Sequence, residues 1–228
     1  MYMQVTPNRD IETVIIVAGG KGERMQTDIP KQFIELKSKP ILMHSIDIFI
    51  QYNNQIEVIV VLPESQIENW NLLCKKHAFE VKHQVVAGGS VRFESVKNGL
   101  KVASDSGFIA VHDGVRPLVS RTTIAACFRE ARASGAAIPV VMPVESIRQI
   151  KGDENVSVDR NVFRLVQTPQ VFEASILKKA YEQEFNPLFT DDASVVEATG
   201  IKISLVDGNQ ENIKITTPFD LKLAGMML

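Results

Sequence analysis

The 228-residue chain sets 25 Lys and Arg against 27 Asp and Glu, a net charge of −2 that excludes a global basic field for nucleic acid. Hydrophobic residues at 45% and charged residues at 23% are ordinary for a soluble α/β domain with a real core, and no apolar run is long enough to span a bilayer. Two distant cysteines, Cys74 and Cys127, make neither a disulfide framework nor a metal knuckle, and residues 1–10 lack the apolar core of a signal peptide. The expectation is a cytoplasmic protein with reduced, buried thiols and no membrane or nucleic-acid partner.

In chain order, Val14-Ile15-Ile16-Val17 is an apolar, β-branched run of strand length. Gly19, Gly20 and Gly22 follow within a short loop whose backbone N–H groups can wrap an anion. The loop is neither a Walker A nor a dinucleotide fingerprint: Gly20-Lys21 is followed by Gly22, and the third glycine position holds Met25. Helical spacing runs from Pro40 to Ile50, a buried strand from Val58 to Leu62, an amphipathic helix from Ser65 to His77 and a weaker strand from Val81 to Ala87. Gly88-Gly89-Ser90 opens a helix to about Ala103 with Ser90 as N-cap. Phe108 to Val111 is a strand, Ser120 to Ser134 a helix closed by Gly135, and Ala136 to Val141 a strand.

From Val144 to Arg160, two short strands flank a Gly/Asp/Asn turn, a ribbon that is only marginally stable by itself and must lie on something. Beyond it come a strand from Phe163 to Val166, helices from Ala174 to Glu184 and Asp191 to Thr199, and strands at Ile201 to Val206 and Asn212 to Ile215. A last helix starts at Thr217-Pro218. Alternating strands and helices predict an α/β, Rossmann-like, mostly parallel sheet covered on both faces. The prediction is a single domain over 1–228 with a protruding β-ribbon arm at about 144–160. Ligands of such sheets sit beyond the C-terminal strand ends, so the segments after three strands should converge: Gly19 to Lys31, Gly88 to Ser95 and Asp113 to Arg116.

Asp113 at a strand end beside an anion loop is placed to hold Mg²⁺, or to cap a turn. Arg116 can meet phosphate or pair with Asp113, and His112 reads as structural. Arg92 and Ser95 suit a base edge or anion at a helix start, or routine capping. Lys214 can be an outward edge-strand lysine, Arg160 a partner for Asp159, and Thr168 and Thr190 caps. His44, His77, His83 and His112 lack metal-ligand spacing, and no covalent nucleophile stands out. The cations Arg24, Lys31, Arg116, Arg160 and Lys214 with one metal carboxylate point to phosphoryl or nucleotidyl transfer.

The stretch Ala18-Gly19-Gly20-Lys21-Gly22-Glu23-Arg24-Met25 is followed by Pro30-Lys31-Gln32, by Gly88-Gly89 with Arg92 and Ser95, and by Val111-His112-Asp113 with Arg116-Pro117. Val158-Asp159-Arg160-Asn161, Thr168-Pro169-Gln170, Thr190-Asp191 with Ala193-Ser194, and Asn212-Ile213-Lys214 complete the series. Weak singly and specific together, they resemble the 2-C-methyl-D-erythritol 4-phosphate cytidylyltransferase family of isoprenoid precursor biosynthesis. The resemblance implies transfer of CMP from CTP to methylerythritol phosphate with Mg²⁺ at Asp113. It implies charge stabilisation by Arg24 and Lys31, and CTP binding by Ala18, Gly19, Gly20, Gly88, Gly89 and Ser95. Arg116, Ser146, Thr168, Thr190 and Lys214 would bind the sugar phosphate, with Arg160 donated across a homodimer interface by the ribbon. Two departures are Ala18-Gly19-Gly20, where the family has Ala-Ala-Gly, and Ser146, where a Thr is expected; Ser keeps the hydroxyl. A ribitol-5-phosphate cytidylyltransferase and a catalytically silent CTP-binding module are the alternatives.

Overall fold

The computed structural model describes residues 11–20 and 29–228. The opening apolar run forms β1 (Glu12–Val17). A small hairpin of β2 (Glu35–Leu36) and β3 (Lys39–Pro40) leads into α1 (Ile41–Tyr52), with Pro40 the residue before its first turn. There follow β4 (Glu57–Leu62), α2 (Glu64–Lys76), β5 (Gln84–Ala87), α3 (Arg92–Leu100), β6 (Phe108–Asp113), α4 (Arg121–Ser134) and β7 (Ala136–Val141). The ribbon is β8 (Ile147–Lys151) and β9 (Glu154–Val158), and the chain closes with β10 (Leu165–Val166), β11 (Gln170–Glu173), α5 (Ala174–Ala180), α6 (Asp192–Glu197), β12 (Ser204–Asp207) and α7 (Pro218–Met227).

Among the described residues, eight strands form one sheet. β5, β4, β1 and β6 lie side by side and parallel. β11 runs antiparallel between β6 and β7, and β12 pairs in parallel with the other edge of β7. The sheet is therefore the mostly parallel one expected, with one reversed strand inside it. β10 continues the reversed strand along β7, but its register is displaced by two residues from that of β11.

Alternation along the strands decides which helix covers which face, because successive side chains point to opposite sides. Val14, Ile16, Val58, Val60 and Leu62 pack with Phe49 of α1, Trp70 of α2 and Phe128 of α4. Ile15, Ile59, Val61, Ile109 and Val111 pack with Val96 of α3, Leu177 of α5 and Val195 of α6. Strands buried on both faces read as continuous apolar runs, which is why β1, β4 and β6 stand out in the sequence. Cys127 is buried and Cys74 half-buried, and both are free thiols.

Several boundaries differ from the sequence expectation. Residues 81–83 are not strand: His83 donates from Nδ1 to the Val81 carbonyl (2.7 Å) and accepts from Trp70 Nε1 (2.9 Å), so pairing with β4 begins only at Gln84. β6 runs two residues further than expected because His112 and Asp113 still pair with Ile16 and Val17. Ser90 is not the N-cap of α3. Its N–H and hydroxyl both donate to Glu94 Oε2, and Val91 takes the cap position. Gln170–Glu173 is a further strand between the expected strand at Phe163 to Val166 and the helix at Ala174, and α5 stops at Ala180 rather than Glu184. Residues 212–215 have no strand partner; the Ile215 N–H bonds to the Val115 carbonyl (2.9 Å), and side-chain contacts of Asn212 and Lys214 hold the rest.

Candidate active site

Beyond the C-terminal ends of β1, β5 and β6 lies a cavity of about 220 Å³. Its lining brings together Ala18, Gly19, Gly20, Lys31, Gly89, Ser95, Asp113 and Lys214 from the sequence-derived set, joined by Gln32, Ser90 and Arg92. Backbone bonds fix the loops at this edge: Ala18 N–H donates to the Val61 carbonyl, Gly88 N–H to Leu62 and Gly114 N–H to Val17. Lys31 lies along the first loop, since a Cβ on Gly20 would stand 3.0 Å from its Cε and 3.1 Å from its Nζ. Arg24 lies outside the described residues.

Ser95 shapes the second loop. Its hydroxyl donates to the Val91 carbonyl and accepts from Gly89 N–H, both at 3.1 Å, and a Cβ on Gly88 would come within 2.9 Å of it. A side chain at either glycine would crowd the loop, because a Cβ on Gly89 would also fall 2.3 Å from that of Glu94. Arg92 holds a bidentate ion pair with fully buried Asp192, Nη1 to Oδ1 at 2.9 Å and Nη2 to Oδ2 at 2.6 Å. Tyr181 donates to the same carboxylate at 2.6 Å. Burial opposes the Arg92 charge and Asp192 more than restores it.

Asp113 sits at the end of β6 with Oδ2 taken by Arg116 Nε (3.0 Å) and Lys214 Nζ (3.2 Å). Burial alone would push its carboxyl up. The Lys214 ammonium and the Arg92 and Arg116 guanidiniums reverse that and hold it far below the usual carboxylate range. Arg116 thus pairs with Asp113 rather than facing outward, and its Nη1 donates to the Asn212 carbonyl at 2.7 Å. Lys214 turns inward because Ile215 beside it is buried in a small cluster with Leu36, Ile41, Val115 and Ala224, against which Ile213 also packs. The Thr168 hydroxyl, also buried, accepts from Asp113 N–H at 3.1 Å and sits 3.0 Å from His112 Nδ1. Burial pushes the His112 imidazole down to about 4, the structural histidine that the sequence suggested.

Ser146, Arg160 and Thr190 are exposed and do not line the cavity. Arg160 donates to the Val144 carbonyl at the root of the ribbon rather than pairing with Asp159. Thr190 does not cap α6; Asp191 does, in a capping box with Ser194. The described residues hold no cluster of three or more His, Cys, Asp or Glu that would bind a metal by itself. Sequence reading gave Gln32, Asp192 and Tyr181 no site role. Gln32 was visible in the Pro30-Lys31-Gln32 segment, whereas nothing local marks Asp192 as the partner of Arg92.

Residues 12–228 match the family model described as 2-C-methyl-D-erythritol 4-phosphate cytidylyltransferase. The enzyme of that name from Bacteroides fragilis is 52% identical over 216 residues, covering 95% of this chain and 99% of the relative. Its counterpart in Porphyromonas gingivalis is 49% identical, covering 94% of this chain and 96% of its own. Among solved structures, 4-diphosphocytidyl-2C-methyl-D-erythritol synthase from Anaerococcus prevotii superposes with a TM-score of 0.81 at 26% identity, covering 95% of both chains. The cytidylyltransferase from Thermus thermophilus gives 0.77 at 31% identity, covering 95% of this chain and 98% of the other. With nearly its whole length matched, and with Gly19, Gly20, Lys31, Gly89, Asp113 and Lys214 gathered at one cavity, this chain belongs to the 2-C-methyl-D-erythritol 4-phosphate cytidylyltransferase family.

Proposed function

We propose that the chain transfers CMP from CTP to 2-C-methyl-D-erythritol 4-phosphate in isoprenoid precursor biosynthesis. The observation that carries this is one buried carboxylate, Asp113, ringed by Lys214, Arg116 and Arg92 beside a glycine-lined cavity that also holds Lys31. An oxygen of the acceptor's phosphate attacks the α-phosphorus of CTP. A new P–O bond forms, the bond from the α-phosphorus to the bridging oxygen breaks, and that electron pair leaves with pyrophosphate. No covalent enzyme intermediate is needed, so the protein's work is positioning and charge stabilisation.

In this reading Lys31, with Arg24, stabilises charge that grows on the phosphorus and leaving group. The Ala18–Gly20 and Gly88–Gly89 backbone, shaped by Ser95, receives the nucleoside. Lys214, Arg116, Thr190 and Ser146 serve the sugar phosphate. Mg²⁺ fits Asp113: its Oδ2 carries both cations while Oδ1 accepts from no described residue, and Mg²⁺ is commonly bound by one or two carboxylates with substrate phosphates. When bound, the ion supplies positive charge against the triphosphate. Reduced Cys74 and Cys127 fit a cytoplasmic setting.

The active unit in this proposal is a homodimer. Val144, Ile150, Val156, Val162, Phe163, Leu165 and Val166 are all exposed along one continuous stretch of chain, a run of apolar side chains that a second copy would cover. Arg160 lies within that run and would reach the partner's sugar-phosphate site. Pyrophosphate release measured with CTP and either methylerythritol phosphate or ribitol 5-phosphate tests the assignment. Turnover with the first and little with the second is expected. The reverse preference would establish the ribitol enzyme, and no turnover with either would establish a binding module.

A further inference from the structure

Behind Asp113, four residues close a loop of hydrogen bonds in which each side chain donates to the next. His112 Nε2 meets the Arg116 carbonyl at 3.0 Å, so that nitrogen carries the hydrogen. Arg116 Nη1 donates to the Asn212 carbonyl at 2.7 Å, and Asn212 Nδ2 donates to the Thr168 carbonyl at 2.8 Å. With Nε2 protonated and the imidazole neutral, His112 Nδ1 is an acceptor, so the Thr168 hydroxyl donates to it at 3.0 Å and closes the circuit. Asp113 is pinned from this loop through its N–H to Thr168 Oγ1, and through Arg116 Nε to its Oδ2.

His112 and Asn212 are fully buried, and Asn212 Oδ1 has no hydrogen-bond partner among the described residues. A buried unsatisfied acceptor has given up its water without a hydrogen bond in exchange. The amide is present for its donor, which satisfies the Thr168 carbonyl and, at 3.3 Å, Gln167 Oε1. The direction of the circuit also commits the single hydrogen of the Thr168 hydroxyl within the protein, leaving it none to donate to a substrate phosphate.

Resting on the cytidylyl-transfer reading above, we propose that His112, Thr168 and Asn212 are positioning residues. Through the closed loop they hold the Asp113 carboxylate and the Arg116 guanidinium in the geometry that transfer requires, without touching substrate. Asn212 also carries the segment that turns Lys214 toward Asp113, so one loop sets the carboxylate and both of its cations.

The test uses full-length N212L, T168V, T168S and the double variant T168V/N212L, assayed for pyrophosphate release with CTP and methylerythritol phosphate. Misplacement of a reacting group costs up to about 100-fold, so kcat in N212L and in T168V should fall about 10- to 100-fold with both KM values within about threefold. T168S, which keeps the hydroxyl, should stay within about threefold of wild type. N212L leaves the Thr168 carbonyl and Gln167 Oε1 without their donor, so its unfolding midpoint should fall, and the assays are run well below that midpoint. The loss of kcat with both KM values held, and its absence in T168S, is a combination that a merely structural role would not give. Because the loop acts as one unit, the double variant should lose no more than the worse single variant. Raised KM for methylerythritol phosphate with kcat intact would mean that Thr168 binds substrate directly. Unchanged kcat in folded N212L, or additive losses in the double variant, would equally overturn the proposal. Should T168V not fold, N212L and T168S decide it alone. A wild-type protein inactive with both substrates would instead refute the cytidylyl-transfer reading, so the two failures are distinguishable.

Discussion

Lys31 lies against the Gly20 backbone where a cation can meet charge that develops only as pyrophosphate departs. Lys31→Ala is expected to lower kcat about 10²- to 10³-fold, the cost of one lost charge-stabilising donor, with little change in the KM for CTP. Steady-state kinetics with near-normal kcat would remove Lys31 from the chemistry. Asp113→Asn keeps the shape but loses the charge that Lys214 and Arg116 face, and should abolish most turnover and blunt its dependence on Mg²⁺. Normal turnover at limiting Mg²⁺ would reduce Asp113 to a turn cap. The placement of both residues at the cavity was legible because its signals are local: a carboxylate ending an apolar run, a lysine just past a glycine loop. The clamp on Arg92 was not legible. Arg92 and Asp192 are 100 residues apart, and an aspartate next to an N-cap looks like helix-end decoration until the fold brings it beneath the cavity.

The helices show how much of an element can be read from its ends. Thr217 caps α7, accepting from Asp220 N–H at 3.2 Å, while Asp220 Oδ2 accepts from Thr216 N–H, Thr216 hydroxyl and Thr217 N–H at 2.8–3.0 Å. Thr217→Ala should destabilise the protein by about 1 kcal/mol, seen as a lower urea midpoint without a change in slope. Slight burial works against the Asp220 charge, but those donors win and hold its carboxyl below the ordinary value. A folded-state value below the unfolded one means the unfolded chain takes up protons first as pH falls. The advantage of wild type over Asp220→Asn should therefore be full at pH 7 and fade below about pH 4, the ordinary aspartate range. A midpoint difference that grew on acidification would contradict this assignment. Elements with weak ends were misread. β11 is four residues between a proline and a helix, and only the gap between β6 and β7 makes it a strand. Residues 212–215 alternate like a strand, yet the alternation serves the cluster around Ile215 rather than a ladder.

At the scale of the whole molecule, the ribbon is the part that the cavity does not explain. If Arg160 completes the partner's site, Arg160→Ala and Lys214→Ala homodimers should each be nearly inactive, every site lacking one cation. Mixed dimers hold one site without either cation and one complete site. Subunit exchange between equal amounts should restore activity to about a quarter of wild type, by two-fold counting. Exchange demonstrated by mass without any recovery would leave Arg160 acting in its own subunit or nowhere. The layered sheet was legible because β1, β4 and β6 are buried on both faces and advertise it. The convergence of three loops followed from the topology, since each loop trails a parallel strand. What the sequence did not reveal was the placement of the reversed strand, because pairing partners far apart in the chain leave no local mark.

That reversed strand gives the order of synthesis a cost. By the time β7 has left the ribosome, β6 and β7 both exist, yet the gap between them is filled only when Gln170–Glu173 arrives. Until then the nascent chain carries unpaired strand edges on β6 and on both sides of β7, the feature that invites another chain to pair. The cavity is later still, for Arg92 awaits Asp192, and Asp113 awaits Lys214. A polypeptide released before residue 214 has the sheet's parallel half and the glycine loops, but no assembled pocket to bind a nucleotide that would draw it toward the folded state.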